Sequence, residues 1–398
     1  MKAGWDRKQL SELLQKTGSI DPTKEPQTTF TYIDVSSVSN ETLSITETSD
    51  ILGKDAPSRA RRGVRAGDVI FATIRPTLKR VAIIPDELDH SVCSTGYFVL
   101  RSGAKINNRF LFYWLISNEF EAEMEARQKG ASYPAVNDSD IRDQFMPVPP
   151  LDEQRRIVAV LDKAFAGIAT ATANAQKNLT NARALFESYA NDAFEELALA
   201  VVKRPALETL TEAKSGITYG VVKPGDMGSV PFVRGGDLIG GEVRLDRLRT
   251  ITHEVSAQYN RTLLRGGELL MCLVGVPGQC AIAPPELDGA NIARQVGLIR
   301  LRPEVNAEYV KDYLQSPPGQ KSLGTFTGGS VQQVINLGDL RQVEIPLPDR
   351  PQQDEIVKRI AISKRLSGDL VKRFEAKFAA LAEIKQSLLQ KAFAGELT

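Results

Sequence analysis

Two stretches of the chain carry apolar or small residues at strict helical spacing. In the first, such residues fall at 157, 161, 165, 168, 171, 175, 179, 182, 186, 189 and 193, a mean step of 3.6. The second carries Ile356, Ile360, Leu366, Leu370, Phe374, Phe378, Leu381, Ile384 and Leu388. Pro147, Pro149 and Pro150 precede the first, and Pro346, Pro348 and Pro351 the second. Proline disfavours helix in the residue before it and tolerates the first turn, so each helix is expected to start there. Asp152 or Glu153, and Asp354 or Glu355, are expected to face the positive end of the helix dipole in the first turn. Each helix spans about 45 residues, or ~65 Å at 1.5 Å per residue. A helix of that length with a single apolar stripe needs a partner, and the other copy is the simplest, in an antiparallel pair.

The chain is written twice. With a shift of 199, Pro147 falls on Pro346, Pro149 on Pro348, Ile157 on Ile356, Val158 on Val357, Ser188 on Ser387, Ala193 on Ala392 and Phe194 on Phe393. The preceding material matches more faintly: RAGDVIFA (65–72) with RGGELLMC (265–272), and KGASYPAVNDSDI (129–141) with GGSVQQVINLGDL (328–340). Strand-like runs at 69–74, 81–85, 96–101, 268–274 and 296–302 and a helix over 109–128 give each half a mixed character. Residues 28–38 and 230–240 read as strands running into turns. The fold class is α+β: two similar mixed α/β units joined by two long antiparallel helices, a coiled-coil spacer, in a pseudo-twofold internal repeat. The boundaries are 1–148 for the first unit, 149–199 for its helix, 200–347 for the second unit and 348–398 for the last helix.

Composition narrows the chemistry. The 398 residues hold 50 Lys+Arg against 49 Asp+Glu, so no global field points to a partner. Two histidines (His90, His253) and three cysteines (Cys93, Cys272, Cys280) are too few for an evident zinc, iron–sulfur or disulfide framework, and a reducing cytoplasm is expected. The longest apolar run, Leu269 to Val276, falls far short of a membrane span, and no membrane role is expected. Phosphate-loop, dinucleotide, zinc-protease and nucleophile-elbow motifs are all missing, as is the N-P-P-aromatic loop of amino-methyltransferases. PDRPQQDEIVK (348–358) has the acids and lysine of some nucleases without their strand setting, and Glu195 and Glu196 read as solvated helix positions.

Positive charge is local. Residues 1–149 hold 19 basic and 20 acidic residues, and 200–345 hold 16 and 15, yet arginine gathers near strand edges. Arg59, Arg61, Arg62 and Arg65 precede one strand, and Arg75, Lys79 and Arg80 follow it. Arg244, Arg247 and Arg249 form a second group, with Arg261 and Arg265 behind. Segregated charge on neutral units suits a phosphate-facing surface, and equally suits solvated loops.

The helix starts PVPPLDEQRRIV and PLPDRPQQDEIV and the helix ends DAFEEL and KAFAGEL, on two alternating mixed units, resemble the DNA-specificity subunit of type I restriction–modification enzymes over nearly the whole chain. One departure is Gln352-Gln353 in place of Glu153-Gln154, expected to soften a helix-start contact. The resemblance implies a non-catalytic subunit whose two target recognition domains each read half of a bipartite, non-palindromic site on double-stranded DNA. The helices would space the halves and dock two methyltransferase subunits, with motor–nuclease subunits joining for restriction. S-adenosylmethionine, ATP and Mg²⁺ would belong to those partners, with no cofactor on this chain. A coiled-coil adaptor whose units bind protein is the alternative. Three loop pairs are candidate readers: Arg75–Arg80 with Gly275–Gln279, Gly130–Ala135 with Gly328–Gln333, and Asp34–Ser37 with Arg234–Asp237. Tyr133 stands where the second unit has Gln332, and Gln332 and Gln333 suit adenine edges.

Overall fold

A strand buried on both faces needs an apolar residue at every position, and the run Val69–Ala72 supplies one. In the computed structural model, which describes residues 4–200, 203–213, 216–324 and 334–397, this strand is the centre of the first unit. It pairs antiparallel with Tyr97–Ser102 and Val81–Ile83, and Leu14–Gln15 completes the sheet. Side chains alternate across it. Val69, Phe71, Phe98 and Leu100 join a core with the helices, while Ile70, Ala72, Tyr97 and Val99 join another with Ile33 and Cys93. Those last two belong to a second sheet, ordered Ser49–Leu52, Thr29–Ile33, Val92–Ser94, Ala60–Gly63. Thr29–Ile33 and Val92–Ser94 run parallel.

The second unit repeats this. Leu269–Cys272 lies between Val296–Ile299 and Cys280–Ile282, with Ile217–Tyr219 at the edge. Leu269 and Met271 face the helices, and Leu270 and Cys272 the other core. Its small sheet is Arg249–Ile251, Val230–Val233, Asn291–Ile292, again with one parallel pair.

The helix expected over 109–128 is two helices, Asn108–Leu115 and Asn118–Arg127. Ser117 breaks it: its hydroxyl donates to the Trp114 carbonyl at 2.7 Å and accepts from the Phe120 amide. In the second unit Ser316 donates to Tyr313 and accepts from Gly319, between Ala307–Gln315 and Pro317–Gly324.

The long helices span Leu151–Ala200 and Arg350–Ala394. Gln154 fixes the first start. Buried, it accepts from the Asn107 amide and donates to the carbonyls of Lys105 and Pro149. Gln353 does the same with the Asn306 amide and the Pro348 carbonyl. The departure at Gln352 therefore spares the buried glutamine. What differs is Glu153, which accepts from the Trp5 indole at 3.2 Å, where exposed Gln352 donates its backbone amide to the Asp349 carboxylate. The second helix also starts a turn earlier than its expected first-turn acids require. It begins at Arg350, and Asp354 instead accepts from Arg350 and Asn306.

The chain divides into two compact units that cut the long helices near their middles: residues 1–176 with 375–398, and 177–374. In the first, Ile157, Leu161, Leu389 and Phe393 share one core, and Lys385 lies over the Phe165 ring. In the second, the Ser367 hydroxyl donates to the Ala182 carbonyl and Arg359 donates to Tyr189. Within each unit, earlier residues of one helix meet later residues of the other, so the segments run antiparallel. Within the alanine-rich segment Leu151–Phe186 the most apolar stretch of 18 residues has a mean hydropathy of 1.2, so by length and composition alone the helix could cross a membrane. Its apolar side chains Ile157 and Leu161 are committed to the first core.

Candidate nucleic-acid interface

The G-D and G-E motifs shape the turns that carry the first arginine groups. Asp68, buried, accepts from the Arg65 amide at 2.8 Å and from Nε and Nη2 of Arg101 at 2.9 and 2.7 Å. Glu268 accepts from the Arg265 amide at 2.8 Å and faces Arg300 at 3.5 Å. The Arg65 side chain is thereby left exposed on a fixed turn, and Arg59 is exposed nearby. Arg61 and Arg62 are tied down: Arg61 donates to the Ala60 carbonyl and faces Asp21 at 3.5 Å, and Arg62 pairs with Asp138 at 2.8 Å.

The loop after Val69–Ala72 is strained. Arg75 and Lys79 both adopt left-handed backbone, φ 49° and 50°, a conformation that costs about 1–3 kcal/mol for a residue with a side chain. Contacts from residues 129–135 hold it. The Arg75 amide donates to the Pro134 carbonyl at 2.7 Å, Ile74 and Lys129 both bridge to Ala135, and the Arg75 guanidinium lies 5.3 Å from the Tyr133 ring centroid. Two of the three expected loops are thus one assembly, with Tyr133 at 72% exposure. Lys79 pairs with Glu121 at 2.7 Å, and Arg80 donates to the Val35 carbonyl in the third loop.

In the second unit Arg234 is clamped by buried Asp237, and Arg244 by Asp246; Arg247, 79% exposed, lies 3.5 Å from the same Asp246 carboxylate. Arg261 is exposed, its carbonyl accepting from Arg300. Gln332 and Gln333, with the loop Gly328–Gln333, lie outside the described residues. A cavity of about 720 Å³ opens beside the small sheet, lined among others by Met227, Phe232, Arg234, Arg249, Arg294 and Gln295. Arg294 and Gln295 went unread in the sequence because they sit in a two-residue turn between strands, and the only signal is a polar pair interrupting an apolar run.

Among the described titrating groups the large shifts have burial as their leading cause. Burial pushes the Cys93 thiol up to about 12 and raises Tyr97, Tyr309 and Cys280 as well. Asp312 is raised by burial and Lys311, beside it, is raised by that carboxylate against burial. Among the described residues no group of three His, Cys, Asp or Glu is arranged to hold a metal.

A duplicated α+β frame on two long helices, with arginine-bearing loops in each copy, is the build of a specificity subunit. A family model described as "Type I restriction modification DNA specificity domain" matches residues 2–181. The EcoBI type I restriction enzyme specificity subunit of Escherichia coli is 27% identical over 320 residues, 74% of this chain and 66% of that protein. The EcoKI specificity subunit of Escherichia coli K12 is 26% identical over 330 residues, 77% and 69%. A subunit structure solved for complex assembly and conformational transition of the type I R-M system superposes with TM-score 0.82 at 28% identity, covering 100% of this chain and 99% of that one. The HsdS subunit of Thermoanaerobacter tengcongensis gives 0.62 at 26%, covering 100% and 98%. The matched region spans about two thirds of the curated relatives' length. The chain resembles type I restriction–modification specificity subunits in sequence over most of its length and in fold over all of it.

Proposed function

We propose that the chain recognises a bipartite, non-palindromic sequence in double-stranded DNA, one half-site per unit, and brings partner subunits to it. Two methyltransferase subunits dock on the long helices, and motor–nuclease subunits join for restriction. The chain performs no catalysis itself; S-adenosylmethionine, ATP and Mg²⁺ are used by the partners, and the assembly works in the cytoplasm.

The observation that carries this reading is a shared frame with unlike readers. The buried glutamines, the serine helix breaks and the turn-capping acids recur in both units. The loop side chains do not: Asp34–Ser37 opens on an acid where Arg234–Asp237 opens on an arginine, and Thr95-Gly96 stands where the second unit has exposed Arg294-Gln295. Identical readers would select a palindrome, and these differ. Val160, Ile362, Leu366, Leu370 and Ile384 stay exposed on the long helices, apolar surface suited to partner helices.

The test is to map methylated adenines in source DNA with and without the gene. One bipartite motif should vanish on deletion. An unchanged methylome, with no sequence-specific DNA binding by the assembled complex, would favour the protein adaptor instead.

A further inference from the structure

We infer that the turn Arg294–Gln295 reads base edges in the second half-site, Arg294 a guanine and Gln295 an adenine. This rests on the DNA-recognition reading above.

The turn joins Asn291–Ile292 of the small sheet to Val296–Ile299 of the large one. Its backbone is fixed on both sides. The Ala293 amide donates to the Val233 carbonyl at 2.8 Å, Arg294 to Val221 at 2.9 Å, Leu273 to Gln295 at 2.8 Å and Val296 to Ala293 at 2.9 Å. Both side chains are nevertheless exposed. A fixed backbone presenting two exposed polar groups is the arrangement that recognition needs, because no backbone ordering is left for the binding step.

Charge distinguishes this turn from its neighbours. In the second unit Arg234, Arg244, Arg247, Arg265, Arg300, Arg302 and Arg350 all face carboxylates. Arg249, Arg261, Arg294 and Arg341 have no ion pair among the described residues; of these, Arg249 and Arg294 line one cavity, and no carboxylate lines it with them. Two unneutralised guanidiniums converge on one concave surface, with Arg234 clamped beside them and Met227 85% exposed. Arginine's fork matches guanine O6 and N7, a glutamine amide matches adenine N6 and N7, and apolar Met227 suits a thymine methyl.

The first unit holds the same turn with other side chains. The Thr73 amide donates to the Gly96 carbonyl at 2.8 Å, as Leu273 does to Gln295, and Thr95 donates to Arg59. Thr95-Gly96 has no guanidinium and no amide, so the two units read different bases at this place.

The experiment uses the full chain with its methyltransferase partner and duplexes carrying the mapped site with each base pair replaced in turn. Arg294→Ala should lower discrimination at one G·C pair of the second half-site by about 5- to 150-fold, leaving the first half-site unchanged. Arg294→Lys, which keeps the charge and loses the fork, should do nearly the same; it also guards against a folding defect in the alanine variant. Gln295→Ala should relax an A·T pair. If both Arg294 variants keep the wild-type profile at every position, or weaken all sequences equally, the turn is not a reader, although the chain still recognises DNA. If wild-type complex shows no preference for the mapped site, the recognition reading fails and takes this inference with it.

Discussion

Replacing Gln154 with alanine removes a side chain that is fully buried and makes three hydrogen bonds. Its Oε1 accepts from the Asn107 amide at 2.8 Å, and its Nε2 donates to the Pro149 and Lys105 carbonyls at 2.8 and 3.0 Å. Each net bond contributes about 1 kcal/mol, and the stranded Asn107 amide adds about 1–3 kcal/mol. The expected destabilisation is about 4–6 kcal/mol, or a Tm lower by about 8–24 °C for a unit of this size. Both tryptophans of the chain, Trp5 and Trp114, belong to this unit's core, so tryptophan fluorescence during urea unfolding reports on it alone. Gln154→Glu sharpens the test. The carboxyl still accepts from Asn107 but, ionised, it points negative charge at two carbonyls without water, which raises its folded pKa. A raised folded pKa gives stability present below the unfolded value of about 4.3 and lost as pH rises. Relative to wild type, this variant should therefore be least impaired near pH 4 and worse at pH 7. A loss under about 0.5 kcal/mol for Gln154→Ala would refute the idea that this glutamine fixes the helix start.

Asp68→Ala leaves the half-buried Arg101 guanidinium without its carboxylate and should destabilise the first unit by about 2–3 kcal/mol in the same urea assay; a change within about 0.5 would contradict it. All three thiols are buried, and burial lifts Cys93 to about 12, so a disulfide reagent at pH 8 should label none of them until denaturant is added. Arg75→Ala should weaken DNA binding by the complex while leaving the urea midpoint nearly unchanged, since it removes an exposed side chain from a left-handed position; a large stability loss would recast it as structural.

The long helices were legible because the 3.6-residue period is a local signal, and the central strands because four consecutive apolar residues fit burial on two faces. The break at Ser117 was not, since the apolar residues Phe110, Trp114 and Phe120 continue across it and only the hydroxyl's bond to Trp114 interrupts the ladder. Arginine clustering located charge without its partners. Arg62 meets Asp138 and Lys79 meets Glu121, acids distant in sequence that only the folded chain brings near. The same limit hid Arg294, which the folded chain sets beside Arg249 in a cavity that no carboxylate lines. Gln154 was visible as a repeated motif, and its role emerged only from the carbonyls around it.

The central claim is that each unit reads its own half-site through its own loops. Exchanging residues 1–145 for the corresponding segment of a relative with another target, then mapping adenine methylation in cells carrying the partner subunits, tests it most directly. The account predicts a new motif in which one half-site is replaced and the other keeps every base. A hybrid whose two half-sites both change, or that methylates the original bipartite motif intact, would contradict it.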